Sequence, residues 1–108
     1  MSDRPLRISI YGMPFKVEWV KSLGGAPGVG RCKIHEQTIL VQSQGQGPDQ
    51  ERDTVLHEVL HAAITMTGHE GDFRSSREEA VVYAMSPVLL GVLRGNPHLV
   101  SWLTEDLT

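Results

Sequence analysis

The first half of this 108-residue chain alternates like strands, the second half repeats like helices, and a five-residue motif opens the helical half. These observations predict an α+β domain: a three- or four-stranded, mostly antiparallel sheet packed on a motif-bearing helix and on a second helix. The length suits one domain over residues 1–108, with a β-rich part at about 6–48 and a helical part at about 49–103.

Residues 6–10 alternate, with Leu6, Ile8 and Ile10 on one face, and Tyr11-Gly12-Met13-Pro14 reads as a turn. Residues 15–20 alternate again, which predicts a β-hairpin. The run from Gly24 to Gly30 holds too much glycine for regular structure and reads as a flexible connector; no Lys-Ser/Thr pair follows it, so the phosphate-loop pattern fails. Residues 31–34 and 38–41 form a second predicted hairpin, turning at His35-Glu36-Gln37. Residues 42–48 are a polar, glycine-rich loop.

Asp49 is a plausible N-cap for a first helix that runs to about Thr67 and stops at Gly68. A second helix is expected from Ser75 or Ser76 to about Arg94, with Pro87 kinking it or removing a hydrogen bond, and Gly95-Asn96-Pro97 ending it. Residues 97–103 suit a short third helix, with Trp102 folded back onto the core.

Composition removes several function classes. The formal charge is −3 with both signs interspersed, which argues against nucleic-acid binding through a general basic surface. Cys32 is the single cysteine, so neither an internal disulfide nor a cysteine-based zinc knuckle can form. No apolar run approaches the roughly 20 residues that span a bilayer, and no apolar signal core follows Met-Ser-Asp-Arg-Pro, so the expected location is the cytoplasm.

The motif is His57-Glu58-Val59-Leu60-His61, the HExxH arrangement. Imidazoles four residues apart lie one turn apart on one helix face, within reach of a single metal ion, and Glu58 between them is placed to handle a proton on water. That combination fits zinc hydrolysis chemistry. Leu56, Val59, Leu60, Ala63 and Ile64 give an apolar stripe, which His57 and His61 flank. Two partly buried histidines on an ordinary amphipathic helix would leave Glu58 unexplained beside that stripe, where a charge is costly to bury.

A catalytic zinc ion commonly takes three protein ligands and keeps one position open. Beyond His57 and His61 the sequence offers Glu78 and Glu79, 17 and 18 residues past His61 at the opening of the second helix. Ser75 with Glu78, or Ser76 with Glu79, fits a capping box, and either choice frees the other glutamate. Glu78 falls in line with Val81, Val82, Met85 and Leu89, while Glu79 falls at the edge of that stripe, as the histidines do on theirs; the parallel favours Glu79. As first-turn acids both also suit the helix dipole. His69 reads as a solvated loop histidine, with a role as substrate contact or fourth ligand as its alternative. Tyr83 reads as a core or surface tyrosine, although its hydroxyl lies one turn past Glu79. Cys32 reads as a small buried apolar residue. His35 and His98 receive no role.

Three blocks in this order, Thr54-Val-Leu-His-Glu-Val-Leu-His-Ala, Glu78-Glu79-Ala-Val-Val and Val92-Leu-Arg-Gly-Asn-Pro, resemble the small zinc-peptidase-like proteins of bacteriophages and prophages, minimal members of the gluzincin class. Gln37-Thr-Ile-Leu-Val before the motif is similar too, so the resemblance covers roughly residues 6–103. It implies a zincin-like domain with one Zn2+ ion held by His57, His61 and Glu79 (or Glu78), Glu58 as general base, and a peptide or protein substrate in a bacterial or phage setting. The activity expected is hydrolysis of peptide bonds by metal-activated water, with the substrate extended along an edge strand at residues 38–41. The alternative is a zinc-binding module that docks on a protein and cleaves nothing. No motif residue here matches the His or Tyr that larger gluzincins place at the oxyanion, and 108 residues leave little room for a second lobe. Imidazole and carboxylate ligands also accept Mn, Co or Ni.

Overall fold

The computed structural model describes residues 3–24, 28–68 and 78–105, with the backbone alone for residues 78–84, 86 and 87. The described chain runs β1 (Arg7–Ile10), β2 (Met13–Val20), β3 (Gly30–Lys33), β4 (Thr38–Gln42), α1 (Pro48–Met66), α2 (Glu78–Gly95) and α3 (Pro97–Leu103). It is an α+β arrangement, with one four-stranded sheet in the order β1-β2-β4-β3.

Both expected hairpins form. β1 pairs antiparallel with β2, Ile8 opposite Phe15, around a turn in which Tyr11 (φ 56°) and Gly12 (φ 76°) are both left-handed. Two consecutive positive φ values match the twist of flanking strands; glycine adopts one freely and tyrosine at a cost of about 1–2 kcal/mol. β3 pairs antiparallel with β4, Cys32 opposite Ile39. A single 3₁₀ turn, Ile34–Glu36, joins them, and Gln37 (φ 47°) donates its N–H to the Ile34 carbonyl at 3.0 Å.

The sheet is mixed rather than mostly antiparallel. β2 lies parallel to β4, Val17 opposite Ile39 and Trp19 opposite Val41. After β2 the chain passes over residues 21–29 to the outer edge, lays down β3, and returns to place β4 between β3 and β2. β4 is therefore an interior strand, not the edge expected at residues 38–41.

Pairing and alternation together put Ile8, Ile10, Phe15, Val17, Ile39 and Val41 on one buried face, with Trp19 and Cys32 packed at its margins. Arg7, Lys16, Glu18, Arg31 and Lys33 alternate with them and therefore point to the other face. Leu6 does not join the core: it precedes β1 and is 67% exposed.

α1 starts one residue before the expected cap. Gly47 is its N-cap, Pro48 takes the first helical position and Asp49 lies in the first turn, because proline's fixed φ and missing N–H suit that position. The helix buries Val55, Val59, Ala62 and Ala63 together with Glu51, Arg52, Thr54 and Glu58. The expected stripe is thus rotated: Leu56 is half-buried and Leu60 exposed. Residues 75–77, where the second helix was expected to start, lie outside the described residues; α2 continues through Pro87 to Gly95. α3 falls where expected, and it buries Leu99 and Trp102.

A clasp of polar and aromatic groups holds the start of α1. Arg52 is buried, and its Nε donates to the Trp102 carbonyl at 2.7 Å, its Nη1 to the Pro48 carbonyl at 3.0 Å and its Nη2 to Glu105 at 2.8 Å. Its guanidinium also stacks 4.5 Å above the Trp102 ring. Trp102 meets Trp19 edge to face at 5.8 Å. The Arg4 guanidinium lies 4.8 Å over the Trp19 ring and pairs with Glu51. Such charge-assisted, partly desolvated contacts are the stronger kind of hydrogen bond. Among the described residues, no helix is long and apolar enough to cross a membrane.

The two outer strands end differently. On β1, the Ser9 N–H donates to Asn96 Oδ1 at 2.8 Å and Asn96 Nδ2 donates to the Ser9 carbonyl at 2.9 Å, so one side-chain amide occupies the edge as a neighbouring strand would. Asn96 Nδ2 also donates to the Val92 carbonyl at 2.7 Å, tying α2 to the same point. Asn96→Ala is expected to cost about 1–3 kcal/mol, because it leaves partly buried backbone groups unpaired. Urea unfolding reads this directly, and an unchanged midpoint would show that the amide contributes nothing.

Candidate active site

α1 crosses the sheet beside β3, and a cleft of about 600 Å³ opens between them. Its walls carry Gly30 and Cys32 from β3 and Asp53, Thr54, His57, Glu58, His61 and Thr65 from α1. All three motif residues therefore face one space, though they enter it differently.

His57 and His61 are exposed to the cleft, whereas Glu58 is buried. Helix geometry requires the difference. Each residue turns the helix by about 100°, so once Val55, Val59 and Ala62 face the core, Glu58 lies on the side toward β3 and the histidines stand at the rim.

The rings meet edge to face with centroids 4.6 Å apart and Nε2 atoms 3.0 Å apart. At that distance two ring protons cannot both lie between the nitrogens. Either one N–H donates to the other lone pair, or both lone pairs converge on a cation. Two imidazole nitrogens bound at about 2.0–2.1 Å to one tetrahedral zinc ion stand roughly 3.3 Å apart. The observed pair is within a few tenths of an ångström of that separation, and its donor type fits the ion.

The side chains of the rest of the expected ligand set are not described. Glu78 and Glu79 open α2, but their side chains are not among those described; nor is the side chain of Tyr83, and His69 falls outside altogether. Among the described residues, no group of three or more His, Cys, Asp or Glu side chains can hold a metal ion. His35 and His98 are exposed and line no part of this cleft.

Burial raises the proton affinity of Glu58 above that of an ordinary carboxylate, and the neighbouring His57 and His61 oppose the rise. The Cys32 thiol is pushed up to about 11, first by burial and then by the negative charge of Glu58. Cys32 is thus a neutral, half-buried wall of the cleft, close to the small apolar residue expected, and is no thiolate nucleophile near neutrality. Asp53, four residues before His57, and Thr54, four before Glu58, were not anticipated; their i, i+4 spacing to the motif was the available signal.

No protein-family model, no curated protein and no solved structure matches the chain. The case for function therefore rests on these side chains.

The shift on Glu58 has a signed consequence for stability. Below the ordinary carboxylate value of 4.5 the side chain is protonated in both folded and unfolded chains. As pH rises past that value the unfolded chain ionises first, so the folded state loses stability until Glu58 itself ionises, and the penalty is then complete. Glu58→Gln removes the ionisation. In chelator-treated protein the variant is expected to melt above wild type at neutral pH, with the gap closing toward pH 4. A gap independent of pH would show that burial of the charge is not its cause.

Proposed function

We propose that the chain is a zinc-dependent hydrolase of the peptidase type, with His57 and His61 holding the ion, Glu79 or Glu78 completing its ligands, and Glu58 as general base. One observation carries the reading: a buried carboxylate and a converging imidazole pair open on the same cleft. A module that only docked on a partner would have no need of the carboxylate.

When bound, the ion supplies a Lewis acid and lowers the pKa of a coordinated water toward about 7. Glu58 takes a proton from water in the cleft and returns it to the departing amine. Its raised proton affinity, a result of burial, makes it a stronger base than an exposed carboxylate. Thr54 on α1 and the bare backbone of Gly30 on β3 border the cleft beside it.

The substrate strand is reassigned. β4 is flanked by β2 and β3 and has no free edge, so an extended peptide cannot add at residues 38–41. β1 has its edge occupied by Asn96. β3 is the outer strand beside the cleft, and a peptide adding to it would carry its backbone past Glu58. Such a substrate pairs by main-chain hydrogen bonds and needs no basic surface.

Two variants test the assignment on a mixed peptide library. Glu58→Gln is expected to retain zinc by elemental analysis and to lose turnover by roughly 10²–10⁴-fold; unchanged turnover would remove Glu58 as base. His57→Ala is expected to purify without zinc. Zinc binding by wild type with no metal-dependent cleavage of any library member would favour the docking module.

A further inference from the structure

We propose that Gly30 is a positioning residue for Glu58: the side chain it lacks leaves the slot in which the Glu58 carboxylate rests. The inference builds on the role given to Glu58 above. A methyl group built on Gly30 would lie 2.6 Å from Thr54 Cγ2, 2.9 Å from Glu58 Oε2 and 3.1 Å from Glu58 Cγ. The first two are closer than a Cβ atom approaches another heavy atom, so any side chain at position 30 must displace something. Gly30 has no left-handed φ to demand glycine; the demand comes from close approach alone.

Three groups border the added methyl group, and two of them yield only at a cost. Thr54 is β-branched, which restricts its χ1 in a helix, and its hydroxyl lies 2.7 Å from Gln46 Oε1 and 2.8 Å from the Gln50 carbonyl. Rotating it would give up those bonds. β3 is paired along its length with β4, Gly30 opposite Val41, so withdrawing the strand would strain the ladder. Whatever gives way at Thr54, the contacts with Glu58 at 2.9 and 3.1 Å remain, and the carboxylate, at the end of a longer and more flexible side chain, is the group that relieves them. No atom of His57 or His61 is among the three nearest to such a methyl group, so the imidazole pair is not what it meets first.

The absence of a side chain at 30 therefore separates two properties of the site: the place where a metal binds and the place where the base sits. The same small surface continues at Cys32, the next residue of β3 on this face, which keeps the strand close beneath α1. The glycine-rich run from Gly24 to Gly30 reads in sequence as a connector, but its last member is a strand residue under the helix.

The test is Gly30→Ala, alone and combined with Thr54→Ser, which deletes the nearest methyl group. Crystal structures of the chelated proteins are expected to show the Glu58 carboxylate displaced by about 1 Å in both variants, because Thr54→Ser removes the contact at 2.6 Å and leaves those at 2.9 and 3.1 Å, with the histidine rings unmoved. Zinc content should equal that of wild type. On any library peptide that wild type cleaves, kcat is expected to fall by about 10–100-fold, the scale of a 1 Å misplacement, with KM held, in the single and the double variant alike. A Glu58 carboxylate unmoved in Gly30→Ala overturns the proposal, as does a loss of zinc matching any loss of turnover. If wild type cleaves nothing, the peptidase reading fails by itself, and the position of the carboxylate still decides the role of Gly30.

Discussion

The seat of α1 on the sheet is the constraint from which the site follows. Val55, Val59 and Ala62 are almost wholly buried against a face built from Ile8, Ile10, Phe15, Val17, Ile39 and Val41. Each large aliphatic side chain buried there contributes about 1.5–3 kcal/mol, so rotating the helix by one position would exchange several of these for polar groups. With the rotation set, the positions of residues 57, 58 and 61 are no longer free. The Arg52 clasp fixes the helix along its axis, because one guanidinium joins its first turn to Trp102 and Glu105. Packing sets the rotation and the clasp sets the translation; a motif that needs three side chains in one cleft requires both.

Local pattern made much of this legible. Strand alternation, the Gly12 turn, the stop at Gly68 and the short helix carrying Trp102 depend on neighbours within a few residues, and all form as the sequence implies. The HExxH spacing placed His57 and His61 on one face for the same reason. What could not be read depends on distant partners. The parallel pairing of β2 with β4 is decided by where the chain returns after residues 21–29, and nothing in either strand's alternation distinguishes a parallel neighbour from an antiparallel one. Assigning the free edge to residues 38–41 was a consequence: a hairpin has two outer edges until a third strand takes one.

The rotated stripe on α1 has a different origin. Counting apolar letters gives Leu56, Val59, Leu60, Ala63 and Ile64; Val59 and Ala63 are buried, but the buried face also includes Glu51, Arg52, Thr54 and Glu58. Arg52 is buried because Trp102, Pro48 and Glu105 satisfy its donors, and Thr54 because Gln46 and Gln50 receive its hydroxyl. A residue's letter gives its cost of burial without partners, and partners from elsewhere in the chain reverse the sign. Gly30 was missed for a related reason, since its requirement arises only when α1 lies across it.

Glu58 differs from those polar neighbours, and the difference bears on function. Arg52 and Thr54 have their burial offset by hydrogen bonds that also tie the fold together. For Glu58, burial raises the proton affinity while two imidazoles at the rim only partly oppose it, so its charge is carried at a net cost to the fold. Packing alone would favour an uncharged side chain of similar size there. The strand beneath it also gives up a side chain, at Gly30, to leave room for a carboxylate. Two local sacrifices, a costly charge and a bare backbone position, meet at one point opposite a pair of converging nitrogens. A costly charge and a bare backbone position gathered at one place suit a site of chemistry better than a structural contact. For that reason the reading with Glu58 as a working base stands ahead of one in which the helix merely carries a metal.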